Sequence, residues 1–196
     1  MNPLKSVPGT IISGFILTGI IIFILDPSKI NLLHMTVWLH VLAGVVWIGL
    51  LYYFNFIQVP GVGQALADAN NGGPGPAAIN KYVAPRALFW FRWGALATWL
   101  TGVSALESLG TGAKNAFMLA DGSVTIGIGA WLGTIMLLNV WGLIWPNQKK
   151  ILGMVEATPE QIVSAKTVAL MASRTNTLLS IPMLMCMTGQ GHGFIF

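Results

Sequence analysis

Two of the chain's three histidines, His34 and His40, lie in one apolar segment, LLHMTVWLHVLAGVVWIGLLYYFNF. An ionisable side chain is costly to place in lipid, so a histidine in such a segment indicates a functional site. Neutral imidazole is a common ligand of haem iron and of other transition metals. The segment therefore predicts a cofactor or metal site, with haem b as the main candidate and copper as the alternative.

His40, Gly44 and Trp47 share one face of the predicted helix, because positions four and seven residues apart nearly coincide at 3.6 residues per turn. A glycine one turn from a histidine leaves room for a flat macrocycle, and a tryptophan beyond it would wall the pocket. A histidine hydrogen-bonded to a neighbouring carbonyl would have the same spacing, so the sequence leaves both interpretations open. His34 lies about 120° around the helix from His40 and is the weaker ligand candidate.

A six-coordinate haem needs a second axial ligand from another helix. His192 in TGQGHGF is the one histidine outside the first segment, and its flanking glycines would let the backbone fold back toward the bundle. A methionine ligand is the competing interpretation, because histidine–methionine ligation of haem is well known. Three methionines lie near the same end of the last helix and otherwise serve as packing residues: Met183, Met185 and Met187.

Arg92 and Arg174 fall within predicted membrane helices, at a depth nearer the cytoplasm than His40. Arginines in lipid are expected to face the bundle interior and pair with a partner, but few acidic residues are within reach. The pattern therefore favours an anionic guest, such as a haem propionate or another small carboxylate. The alternative is that both side chains extend to the cytoplasmic interface. The sequence contains no recognisable catalytic motif, so no catalytic residue is predicted.

The composition predicts an integral membrane protein, since 55% of residues are hydrophobic and only 8% are charged, against about 25% charged in soluble domains. We expect an all-α bundle of five membrane helices in a single multi-pass domain, residues 1–196. The helices are predicted at residues 10–25, 32–58, 87–109, 123–146 and 167–190, with the fourth ending at Trp145-Pro146.

The formal charge of +4 reflects loop and helix-end cations rather than a surface that binds nucleic acid. The positive-inside rule places the N-terminus in the cytoplasm and the C-terminus outside. Six cations fall on the cytoplasmic side in this topology: Lys5, Lys81, Arg86, Lys149, Lys150 and Lys166.

Several local signals accompany the helices. Thr158 and Pro159 in TPEQ predict a helix start, with threonine as the N-cap. Gly129 and Gly133 have the spacing that lets helices approach closely, and intramolecular packing is favoured over dimerisation. The Gly-rich and Pro-rich segment after residue 58 predicts a long cytoplasmic loop with at most one helical turn.

Four segments together resemble the membrane domain of the urate oxidase N-terminal family. They are HVLAGVVWIGLLYYFNF, PRALFWFRWGALATWLTG, WLGTIMLLNVWGLIWPNQKK and SRTNTLLSIPMLMCMTGQGH. The resemblance implies a multi-pass protein of the bacterial inner membrane that takes part in urate oxidation and passes electrons to a cytochrome c. By position it assigns His40 and His192 to the family's histidines, and Arg174 with Asn176 to its Arg-x-Asn sequence.

The chain departs from full-length members of that family. They carry more membrane helices and a C-terminal cytochrome c domain, whereas this sequence ends at Phe196 and has one cysteine, Cys186. We therefore expect electrons to leave toward a separate cytochrome or a larger membrane complex. The alternative hypothesis is a small non-catalytic subunit that packs inside a multi-subunit membrane complex, with structural histidines.

Overall fold

The computed structural model describes residues 2–110 and 112–193, and within these ranges the chain is all-helical, without a strand. The predicted all-α class is therefore confirmed. The eight α-helices are α1 (Val7–Leu25), α2 (Leu32–Tyr53), α3 (Val59–Ala69), α4 (Ala84–Ser108), α5 (Gly112–Phe117), α6 (Val124–Asn139), α7 (Trp145–Ile151) and α8 (Pro159–His192).

Three continuous helical stretches of the described chain are long and apolar enough to cross a membrane. They are Val7–Leu25, Leu32–Ala69 and Val124–Ile151. α4 and α8, with 25 and 34 residues, occupy the positions of the third and fifth predicted helices but are less apolar. The structure thus has the helices of a membrane protein, while the count of five membrane spans and their orientation stay predictions.

Three π-helical turns interrupt the α-helices, and each ends two residues before a proline. The turns are Phe54–Gln58, Ile79–Val83 and Val140–Ile144, and the prolines are Pro60, Pro85 and Pro146. In an α-helix, a proline lacks one N–H and its ring collides with the carbonyl four residues earlier. A π-turn widens the helix at that point, so the chain passes the proline without leaving the helical path.

These turns explain where the sequence-based boundaries are wrong. The fourth predicted helix does not end at Trp145-Pro146, because the π-turn carries it into α7 as far as Ile151. The predicted loop after residue 58 likewise begins with the 11 residues of α3, which continue α2. Both predicted boundaries took a proline as the end of a helix. In the structure, the π-turn before the proline accommodates its ring, so the helix continues.

α2 and α4 pack as an antiparallel pair with very little space between their backbones. A Cβ atom placed on Gly94 would lie 3.4 Å from the backbone nitrogen of Trp47, and one placed on Gly102 would meet the ring of His40. Further along the pair, the rings of Phe54 and Phe91 are 5.4 Å apart. Small residues on α4 therefore let the two helices approach closely. Membrane helices associate through such close packing, because lipid provides no hydrophobic driving force between them.

α6 and α8 form the second antiparallel pair. A Cβ on Gly129 would lie 3.1 Å from Cβ of the buried Cys186, so this glycine packs within the chain, as expected. The helix start predicted at Thr158 is confirmed: the Thr158 hydroxyl accepts from the Gln161 backbone N–H, and the Gln161 side chain accepts from the Thr158 N–H. From there α8 runs without a break to His192, so the start of the fifth predicted helix at residue 167 is wrong.

α1 lies outside the bundle formed by the two pairs. None of its residues is buried. Its ring contact with the rest of the chain joins Phe15 to Trp38 on α2, with centroids 5.6 Å apart. The core is formed instead by α2, α4, α6 and α8, around Trp47, Leu51, Phe91, Met136 and Val140.

Candidate functional site

His40 lies half-buried between α2 and α4, and one of its ring nitrogens is engaged. Nδ1 is 2.8 Å from the backbone oxygen of Thr98. A carbonyl oxygen can only accept, so Nδ1 carries the hydrogen and Nε2 keeps its lone pair. The ring also packs against Gly102, where a Cβ atom would lie 2.9 Å from its Cε1. The imidazole is therefore held in one orientation, and Nε2 has no hydrogen bond to a described residue.

Gly44 does not open a gap toward α4. A Cβ atom on Gly44 would lie 3.7 Å from the Thr98 methyl carbon, which is an ordinary van der Waals contact. The threonine methyl therefore fills the side of the glycine that faces α4. The imidazole nitrogen of His40 is a suitable ligand for haem iron or copper. A haem macrocycle would have to approach His40 from another side than the one where Gly44 faces α4, because the Thr98 methyl group fills that side.

Trp47 is buried to 2% exposure, yet its indole N–H is unpaired among the described residues. A buried donor without an acceptor costs free energy, so such groups are rare in native proteins. Trp47 lies seven residues after His40, on the same face of α2. The indole N–H of Trp141 is likewise unpaired among the described residues. An acceptor on a bound group, such as a carboxylate, would satisfy the Trp47 N–H, and the position of Trp47 at a binding site stays a prediction.

The other two histidines are exposed: His34 lies in the first turn of α2, and His192 lies on α8. His192 is in the last turn of α8, where the nearby Gln190 amide donates to Gly122 at 3.4 Å. No group of three or more histidine, cysteine, aspartate or glutamate residues that could hold a metal occurs in the described ranges. The structure therefore supplies one well-oriented imidazole, and the second ligand stays a prediction.

His34 stands at the start of α2, where its Nδ1 is 3.0 Å from the Lys29 backbone oxygen. It lines a shallow surface groove together with Asp26 and Lys29. The Ser28 hydroxyl and backbone N–H both donate to Asp26 and lower the pKa of that carboxyl. This arrangement is a capped helix connection, and it adds nothing that favours His34 as a metal ligand.

The two predicted intramembrane arginines differ in their surroundings. Arg92 is half-buried, and its guanidinium stacks on the Trp145 ring with the central carbon 3.8 Å from the centroid. Arg174 is exposed on α8, so the expectation that it faces the bundle interior is wrong. An aromatic face stabilises the cation of Arg92 without an acid. Neither arginine has an ion pair among the described residues.

A network of side-chain amides links α6 and α8, and the hydrogen bonds in it were not predicted from the sequence. The Asn139 amide donates to Oδ1 of Asn176 at 3.0 Å, and the Asn176 amide donates to the Met136 backbone oxygen at 2.9 Å. Asn176 is fully buried. The polar residues Ser173, Asn176 and Ser180 repeat at intervals of three and four residues, which places them on one face of the helix. This helical spacing is the feature of the sequence from which the network could have been predicted.

The same face of α8 also bonds to α2. The Tyr52 hydroxyl is 3.0 Å from Oγ of Ser180, and the Asn55 amide donates to Oγ of Ser173 at 2.8 Å. Each of these groups has a partner within the chain. Interhelical hydrogen bonds of this kind stabilise membrane bundles, so we assign this polar face of α8 a structural role.

Residues 112–196 match the model of the urate oxidase N-terminal family. The matched range begins at α5 and includes the amide network, Arg174 and His192. No curated protein and no solved structure matches the chain.

The urate oxidase N-terminal range leaves out His40, Gly44, Trp47 and Arg92. The family match therefore supports the α6–α8 half, and the case for a ligand at His40 depends on the geometry of α2 and α4. The two halves join in one core, where Trp47 and Phe91 pack with Met136 and Met183.

Proposed function

We propose that this chain is a membrane redox subunit of the urate oxidase N-terminal type, in which Nε2 of His40 ligates haem b iron. The observation that carries the proposal is the hydrogen bond from Nδ1 of His40 to the Thr98 backbone oxygen. Metal-ligating histidines almost always donate their other N–H to a carbonyl or carboxylate, which fixes the tautomer and makes the ligating nitrogen more basic. Copper, which imidazole also suits, is the alternative metal.

The protein's own part in this proposal is to hold and orient the group. His40 supplies a fixed nitrogen, and the Trp47 indole N–H supplies a buried donor for an acidic substituent of the guest. A bound haem or copper would supply one-electron chemistry. His192, a nearby methionine or a partner chain would complete the ligand set. Electrons would then pass to a cytochrome c or to a larger membrane complex.

A second candidate function is that of a non-catalytic subunit in a membrane complex. The observation that favours it is α1, in which no residue is buried although the helix is long and apolar enough to span the membrane. Apart from the contact of Phe15 with Trp38, such a helix is free to face lipid or another chain. In this case the bond from His40 to Thr98 would only join α2 to α4.

The test is a reduced-minus-oxidised absorption spectrum of the chain purified in detergent, with iron and copper quantified on the same sample. The redox proposal predicts a b-type band with near-stoichiometric iron, or stoichiometric copper, and loss of that metal on His40→Ala substitution. A haem spectrum that survived this substitution unchanged would show that His40 is not the ligand. Absence of both metals, with other membrane subunits co-purifying, would favour the second candidate. With metal present, urate is the first substrate to assay.

A further inference from the structure

An open groove of about 360 Å³ lies between the C-terminal end of α2 and the beginning of α4. Its apolar part includes Leu50 and Val83, and three aromatic side chains border it: Tyr53, Tyr82 and Trp90. Tyr82 and Trp90 are 58% and 56% exposed. Exposed aromatic residues of this kind are typical of the level at which a membrane meets water.

The position of the groove along the helix supports this level. α2 and α3 form one continuous helical stretch, Leu32–Ala69, whose 38 residues extend about 57 Å at the helical rise and exceed the hydrocarbon core. With the first turn of α2 at one face of the membrane, Tyr53, about 32 Å further along the stretch, lies at the level of the other face. The groove therefore lies at an interface, where both lipid headgroups and the upper parts of acyl chains are present.

The groove carries positive charge without a neutralising acid. Arg86 lines it, and the Lys81 ammonium lies 5.3 Å from the centroid of the Tyr82 ring. No acidic side chain lines the groove, and the ion pair found in the described ranges, between Lys29 and Asp26, is elsewhere. Two cations beside an apolar channel complement a ligand with an anionic head and an apolar tail.

We propose that this groove binds an anionic phospholipid, with its phosphate against Arg86 and Lys81 and an acyl chain along Leu50 and Val83. The positive-inside rule assigns both cations to the cytoplasmic side, and the cytoplasmic leaflet is the one rich in anionic lipid. Basic pockets between membrane helices on that side bind anionic headgroups in general. This proposal does not depend on a cofactor at His40.

The experiment measures lipid retained by the full chain after extraction from vesicles of phosphatidylcholine and phosphatidylglycerol, by native mass spectrometry. Wild-type protein is expected to retain phosphatidylglycerol in preference to phosphatidylcholine. Arg86→Gln should lower the retained phosphatidylglycerol about fivefold, the effect of about one basic residue near a charged surface. Arg86→Lys should keep most of it, because the positive charge stays.

The matched control is Lys166→Gln, which removes one exposed cation from α8, on the same predicted side but outside the groove. Lipid retention by this variant should equal that of wild type. Equal retention of both lipids by wild type, or equal losses in Arg86→Gln and Lys166→Gln, would overturn the proposal in favour of diffuse charge attraction. Displacement of the lipid by excess inorganic phosphate would show that the groove recognises the phosphate alone. That result would overturn the proposed role of the acyl chain.

Discussion

Two polar regions of the bundle differ in how completely their groups are paired. On the α6–α8 side, Asn176 uses both its amide oxygen and its amide nitrogen in bonds to Asn139 and Met136. On the α2–α4 side, His40 uses one nitrogen in its bond to Thr98, and the other has no partner among the described residues. A fully paired group stabilises a fold, whereas a held group with an unused lone pair is suited to binding.

The comparison also separates the two arguments for function. The paired region lies within the range that matches the urate oxidase N-terminal family, and the region with the unused nitrogen lies outside it. The family match therefore bears on the architecture of α6 and α8. The proposed ligand must be tested on α2 and α4, with a matched control for each substitution.

The largest effect on stability is expected in the paired region. Asn176→Ala should lower the free energy of unfolding by about 1–2 kcal/mol, because it removes a fully buried amide and leaves the half-buried Asn139 amide without its acceptor. Thermal unfolding in detergent measures this loss. The control is Thr175→Ala, which changes an exposed residue next to it on α8. If both variants lost the same stability, the amide network would contribute no specific stabilisation to the fold.

A somewhat smaller effect is expected where α4 touches the histidine. Gly102→Ala places a methyl group 2.9 Å from Cε1 of His40, so the ring or the helix must move, at a cost of about 1 kcal/mol. Gly133→Ala is the matched control, since a Cβ atom there would have no other heavy atom within 4 Å. That variant should be neutral or slightly stabilising, because alanine favours helix. An equally tolerated Gly102→Ala would show that the ring is not tightly held.

The smallest effect is expected at the contact between α2 and α8. Tyr52→Phe removes the hydroxyl that is 3.0 Å from Oγ of Ser180 and should lower stability by about 0.6 kcal/mol, the average for such bonds in membrane proteins. Tyr53→Phe removes a neighbouring hydroxyl that has no bond to a described residue, and unfolding should not change. Equal melting curves for the two variants would indicate that the Tyr52 bond adds nothing.

The helix class and several local features could be predicted from sequence, because they depend on near neighbours. The apolar segments gave the helices, and the Thr158–Gln161 capping box formed as expected from TPEQ. The boundaries at Pro60 and Pro146 were wrong, whereas the end of the first helix at residue 25, before Pro27, is confirmed. A π-turn depends on how the whole helix packs, and a proline in a sequence does not reveal whether such a turn precedes it.

The candidate site was harder to predict, because it depends on which helices meet. Spacing placed His40, Gly44 and Trp47 on one face, but it did not show that Thr98 fills the side of Gly44 that faces α4. Residue type suggested an interior position for Arg174, which the fold leaves exposed. The hydrogen-bond partners of His40 and Asn176 lie 58 and 40 positions away, and one sequence gives no information on such pairs.

The most direct test compares metal content and thermal unfolding in His40→Asn and Asn176→Ala. Asparagine at position 40 can still donate to the Thr98 oxygen from near the position of Nδ1, but it has no counterpart of Nε2. The account predicts that His40→Asn loses its bound iron or copper and unfolds like metal-free wild type, because a bound group itself stabilises the folded state, while Asn176→Ala unfolds earlier and keeps its metal per folded chain. Retention of metal by His40→Asn, or loss of metal by Asn176→Ala alone, would contradict it.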